Sequence, residues 1–168
     1  MRVISHIVSI LILPFSVTVI IPYYLYHNSA DSEFFNFSSI NWLSSALGLI
    51  TLLFGFSLVA LTIYLFATIG EGTLAPWDPP KHLLIQGPYA YVRNPMISGV
   101  LFIILGESIL LNSNLIFIEW LIFFVINSIY FILSEEPNLE KRFGQEYVNY
   151  KLNVPRWIPR RNPWKPKT

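Results

Sequence analysis

The sequence predicts an all-α, polytopic integral membrane protein. It should have about four transmembrane helices, a short C-terminal helical hairpin and a cytoplasmic amphipathic helix. Three observations lead there. The 168 residues are 54% hydrophobic, 16% aromatic and only 12% charged, with a mean hydropathy of +0.52, which is too apolar for an ordinary soluble domain of this size. The apolar residues fall in long runs. The Lys and Arg residues fall in a few segments that a four-span path places on one side.

The first run, Val3 to Tyr26, is about 24 residues long, enough to cross a bilayer. Pro14 and Pro22 interrupt it, which membrane helices tolerate when neighbouring groups satisfy the freed carbonyls. A cleaved signal peptide is the competing reading, but the run ends in Pro22-Tyr23-Tyr24 rather than in small residues. Residues 27–41 read as a polar loop with Asp31 and Glu33 and no basic residue, followed by Trp42 where an interfacial anchor belongs. Ile40 to Ile69, about 30 residues, is a second span. Gly48 and Gly55 share one of its faces, suited to close packing of another helix.

Gly70 to Pro95 is a loop with prolines at 76, 79, 80, 88 and 95. Asn94-Pro95 reads as a helix start, with Asn at the N-cap and Pro at the first helical position. That helix should run to about Leu111, turn at Asn112-Ser113-Asn114, and return over Leu115 to Leu133. Glu107, Glu119 and Asn127 lie in or near this hairpin, where polar groups face protein or water. Beyond Glu136-Pro137, the spacing of Leu139, Phe143 and Tyr147 predicts one amphipathic helix on the membrane surface. The tail, Pro-rich and basic, should be extended.

All eleven basic residues lie at Arg2, between residues 70 and 96, or after residue 134. Four spans put these segments on one side, which makes both termini cytoplasmic. Residues 1–69 then form an N-terminal pair of spans and 70–168 a second region carrying the polar clusters. A net charge of +1 provides no bulk field for nucleic acid. Cysteine is absent, and His6, His27 and His82 are scattered, so no metal site is expected.

Folding the hairpin brings His82, Tyr89, Tyr91, Arg93 and Asn94 toward Glu135 and Glu136, with Arg156 and Trp157 following. An Arg beside a helix N-terminus suits an anionic group. A carboxylate pair suits ribose hydroxyls, an amine, or Arg93 itself. A structural ion pair is the bland alternative. No dinucleotide fingerprint, phosphate-binding loop or nucleophile elbow occurs. His82 also reads as a simple loop residue, and the tyrosines as interfacial aromatics.

GPYAYVRNP followed by SEEPNLEKRFGQEYVNYKLNVPRWIP resembles the isoprenylcysteine carboxyl methyltransferase and phospholipid methyltransferase superfamily of integral membrane enzymes. The resemblance covers about residues 70–160. It implies S-adenosylmethionine as methyl donor and marks 70–168 as the catalytic region. It carries over His82, Leu83, Leu84, Tyr89, Asn94, Pro95, Met96, Ile97 and Glu135 as cofactor positions. Arg93 and Glu136 would complete the polar wall as the catalytic candidates, with Glu136 or His82 available as a base. Two departures stand out. Asn94 replaces the usual His, and Phe131 stands where eukaryotic isoprenylcysteine enzymes place an Arg toward the substrate, a role Arg156 is the candidate to fill. The expected acceptor is lipophilic, a prenylated molecule or a membrane lipid. A catalytically inactive membrane scaffold of the same fold is the rival reading, and a transporter is disfavoured because no inverted repeat is evident.

Overall fold

The computed structural model describes residues 11–28, 42–70 and 82–166. Among these the secondary structure is helical throughout, with no strand. The first element, α1, joins a π-helical stretch, Leu11–Ile20, directly to an α-helix, Ile21–Asn28. The cleavage and loop readings for 1–10 and 29–41 lie outside the described residues. Next comes α2, Trp42–Thr68. A 3₁₀ turn, Gly87–Ala90, precedes α3, Pro95–Leu110, and α4, Asn114–Tyr130.

Two helical runs are long and apolar enough to cross a membrane, Trp42–Thr68 and Asn114–Phe143, while Pro95–Leu110 is a shorter apolar helix. The count among the described residues is therefore two, not the four expected. The difference has a physical source. At about 1.5 Å per residue α3 is only about 24 Å long, and α1 is described only from residue 11. The outward faces of α2 and α4 are apolar: Leu43, Leu47, Ile50, Phe54, Ile122, Val125 and Ile126 are all exposed. Such continuous apolar surface calls for lipid or protein cover.

The fold's centre is the contact of α2 with α3, where glycines face each other. A Cβ on Gly55 would sit 2.7 Å from the Gly99 carbonyl oxygen, and one on Gly106 would sit 2.8 Å from the Leu52 nitrogen. Glycine therefore permits backbone-to-backbone approach. Around it pack Val59, Val100, Ile103, Ile104 and Ile116, joined by Val17 and Leu25 from α1 and Trp120 and Phe123 from α4.

The hairpin forms as expected, with details changed. Asn94 is the N-cap of α3, yet its side chain makes no capping bond. Instead its carbonyl accepts from the Ser98 N–H and hydroxyl. The tight turn passes through Asn112 at φ 48, a left-handed conformation that Asn tolerates. Ser113 then caps α4 by accepting from the Ile116 N–H.

Two boundaries differ from the sequence reading. Helix continues past Leu133 through a π-turn, Phe131–Glu135, into α5, Glu136–Phe143. The predicted single amphipathic helix is two, α5 and α6, Gln145–Asn153, broken at Gly144 with φ 55. Without a side chain, Gly takes this left-handed conformation freely and breaks the ladder. The apolar stripe survives the break, since Leu139, Phe143 and Tyr147 all join one cluster with Tyr150 and Val154.

Gly55→Ala should lower the thermal unfolding midpoint in detergent, because overpacking of this kind costs about 1–3 kcal/mol. Gly55→Leu should lower it further. Leu53→Ala, on the lipid-facing side, should leave it nearly unchanged.

Candidate active site

The extended segment after α6 determines the site's shape. Val154-Pro155 ends the helix, and prolines at 155, 159, 163 and 166 prevent another. The segment runs back beside the loop as a strap. Arg93 N donates to the Pro155 carbonyl at 2.9 Å, Arg160 N to Tyr91 O at 3.0 Å, and Trp164 N to Ala90 O at 2.9 Å. The Tyr150 hydroxyl donates to Tyr89 O at 2.8 Å, fastening α6 to the same loop.

Strap, loop and α5 converge on Glu136, whose side chain is 7% exposed. Its Oε1 accepts from Arg156 Nε at 2.9 Å and Nη2 at 2.6 Å. Arg93 Nη1 lies 2.9 Å from the same oxygen, close enough for charge attraction but without an aligned hydrogen bond. Lys151 Nζ lies 3.1 Å from Oε2 and 2.7 Å from Glu140 Oε1. Burial pushes the Glu136 carboxyl up, but hydrogen bonds from Arg156 and Lys151 and the charges of Arg93 and Arg156 prevail, leaving it below its ordinary value. Glu140 and Glu136 in turn raise Lys151.

The apolar part of the last span ends at Leu133, so Glu135 lies beyond it. No cation among the described residues pairs with Glu135. Burial, then the charge of Glu136, pushes its carboxyl up to about 7. Tyr89 is buried beside it. Burial, Tyr150 and the Glu135 charge together hold its hydroxyl well above the ordinary value. Arg93 reaches the Tyr147 hydroxyl, which burial nevertheless raises to about 12. The Arg93 side chain is 10% exposed, and its Nε and Nη1 have no hydrogen-bond partner among the described residues.

The hairpin thus brings Arg93, Tyr89, Glu135, Glu136 and Arg156 together. Pro95 is fully buried, and Asn94, Met96 and Ile97 are half-buried around the start of α3. The other predicted positions sit elsewhere. Leu84 packs with Leu65 and Tyr89, and Leu83 packs against the Tyr147–Val154 cluster. His82 is exposed and makes no hydrogen bond or ion pair with the cluster. Phe131 is 3% exposed, its ring 5.7 Å from that of Trp157. Sequence reasoning missed Lys151 and the part played by Tyr147 and Tyr150. The tyrosines read only as an apolar stripe, and Lys151 as one more surface charge.

These features define a helical, membrane-type protein with a buried arginine–carboxylate site on its polar face. The chain belongs to the phospholipid methyltransferase family, whose model matches residues 43–146. It is 38% identical over 82 residues to protein-S-isoprenylcysteine O-methyltransferase of Schizosaccharomyces pombe, covering 46% of this chain and 34% of that enzyme. It is 35% identical over 63 residues to an uncharacterized protein of Haemophilus influenzae, covering 38% of this chain and all of that protein. The chain thus spans about a third of the yeast enzyme and the whole length of the bacterial protein. No solved structure matches it.

Two outcomes follow from the electrostatics. Glu136→Gln should destabilise the protein more than Glu135→Gln, because removing one partner of a buried ion cluster strands the others at a cost of about 3–5 kcal/mol. Unfolding midpoints of both variants decide this. The second outcome concerns pH. The folded state holds the Glu135 proton to about pH 7, whereas the unfolded chain releases it near pH 4.5. Stability from this group therefore falls as pH rises across that window. The difference in midpoint between wild type and Glu135→Gln should shift against the wild type from pH 5 to pH 8.

Proposed function

We propose that the protein is an S-adenosylmethionine-dependent methyltransferase that transfers a methyl group to a lipophilic acceptor at the cytoplasmic face of a membrane. The observation that carries this reading is the meeting of Arg93 with Glu136 at 2.9 Å beside Glu135, which has no cation partner among the described residues. The hairpin folds the loop back onto the paired acids, as a shared cofactor site requires.

The residues present fit the cofactor. Arg93 offers buried N–H groups without hydrogen-bond partners among the described residues, suited to a carboxylate. Glu135 is a carboxyl without a cation among them, suited to an ammonium or ribose hydroxyls. Tyr89 lies beside Glu135, and Asn94, Pro95, Met96 and Ile97 follow Arg93 directly at the start of α3, so these complete the proposed set. When bound, S-adenosylmethionine supplies an electrophilic methyl group, and the protein's task is chiefly to hold position and exclude water.

Glu136, engaged by three cations and lowered in pKa, holds Arg93 and Arg156 in place rather than taking up a proton. Glu135, pushed up to about 7 by burial and its ionised neighbour, gains a counter-charge when the cofactor's ammonium meets it. Phe131 packs on Trp157, and Arg156 is bound to Glu136. Neither leaves a cation beside Phe131 for an acceptor carboxylate. This favours a lipid amine or thiol over an isoprenylcysteine-like carboxylate. In this reading α1, α2 and the α3–α4 hairpin make four crossings, and the charge distribution places both termini in the cytoplasm.

Calorimetry with S-adenosylhomocysteine on the detergent-purified protein should show saturable binding. Arg93→Ala and Glu135→Ala should weaken it at least tenfold, and unchanged affinity in both would reject the placement. Methyl-labelled cofactor incubated with membranes should pass label into a lipid extract, where the product identifies the acceptor. Absence of any saturable binding would favour the scaffold reading.

A further inference from the structure

The strap forms a second feature, separate from the ion cluster. Between it and the loop lies an open groove of about 510 Å³, lined by Ile69, Leu83, Gln86, Tyr91, Trp164 and Lys165 among others. Its size falls within the usual range of ligand sites. Arg93, Glu135 and Glu136 do not line it.

Three observations say what it takes. First, it opens at the membrane border. Ile69 directly follows the end of α2, and the strap's Trp157 ring lies 5.1 Å from that of Phe124 on the last span. Next to Trp157, Ile158 is 79% exposed, an unfavourable position for a strap in water and an ordinary one at a lipid interface. Second, the charge is one-sided. Residues 82–94 and 154–166 contain no acid. Arg93 and Arg156 are engaged by Glu136, and Arg160, Arg161 and Lys165 have no acid within these segments. Third, the groove has rigid walls. Trp164 is held by its backbone bond to Ala90 and by its ring contact with Tyr150 at 5.7 Å.

We propose that this groove seats an anionic membrane phospholipid, with Lys165 at the headgroup phosphate and Ile69, Leu83 and Trp164 along the upper acyl chain. Such a lipid secures the strap against the loop from the membrane side. Its role is independent of methyl transfer, so the lipid need not be the acceptor.

The test uses full-length protein in nanodiscs containing a graded mole fraction of acyl-brominated phosphatidylglycerol or of brominated phosphatidylcholine. The Trp164 signal is the difference in fluorescence between wild type and Trp164→Phe. Phosphatidylglycerol should quench it at about fivefold lower mole fraction, as one basic residue at an anionic surface implies. Lys165→Glu should abolish that preference while keeping the wild-type circular-dichroism melting profile. Equal quenching by the two lipids would overturn the site. So would a phosphatidylglycerol preference that survives Lys165→Glu, since it would then reflect general surface charge. If Trp164→Phe fails to fold, native mass spectrometry of phosphatidylglycerol retained by wild type and Lys165→Glu reads the same outcome. Equal retention again overturns it.

Discussion

One buried carboxylate holds the polar half of this molecule together. Glu136 takes Arg93 from the loop, Arg156 from the strap and Lys151 from α6, and it stands at the start of α5. Two short helices, the loop and the strap share one charge centre. A buried ion cluster adds little net stability compared with an apolar filling, but it strongly penalises any arrangement that leaves one member alone. Specification follows from that asymmetry. The loop and strap also pack apolar side chains, Leu84 and Tyr89 in one cluster and Val154 and Trp164 in another, and the ion cluster adds a constraint that non-directional packing lacks.

The cluster works only because the helices deliver it to one place. Gly48 and Gly55 against Gly99 and Gly106 let α2 and α3 approach at backbone contact. That contact fixes the height and rotation of Pro95, hence of Arg93 two residues earlier. The turn at Asn112 and the cap at Ser113 return the chain, so that one span of helix later Glu135 and Glu136 arrive at the level of Arg93. A small-residue interface inside the apolar region thus sets the geometry of a polar site outside it. The two halves of the fold are coupled through rigid helix length rather than through a chain of side-chain contacts.

The sequence made the hairpin, the meeting of Arg93 with the acids and the all-helical class legible. Each rests on strong local signals: long apolar runs, Asn-Pro at a helix start, and a polar turn of fitting length. The break at Gly144 was harder to see, because Leu139, Phe143 and Tyr147 keep helical spacing across it and a periodic pattern does not register one left-handed residue. The π-turn at Phe131–Glu135 was hidden for a similar reason. The strap's path was not legible at all. Its pairing is backbone to backbone, between Arg93 and Pro155, Tyr91 and Arg160, and Ala90 and Trp164, and side-chain identity carries no record of such bonds. Lys151 escaped notice because its partners, Glu140 and Glu136, both lie on the preceding helix, on the far side of the break at Gly144.

The two glutamates, neighbours in sequence, show how environment divides labour between identical side chains. Glu136 faces three cations and is held ionised. Glu135, a residue earlier and so turned about 100° around the helix, faces Tyr89 and finds no cation among the described residues. Its charge is disfavoured both by burial and by its ionised neighbour. Pairs whose surroundings drive their pKa values apart are the arrangement that acid–base work requires. The family match and this divergence arise from unrelated observations, one from sequence similarity over residues 43–146 and the other from local electrostatics. Both glutamates lie within the matched range, and a structural ion pair would need only Glu136, which leaves the buried Glu135, without a cation among the described residues, to the proposed cofactor site.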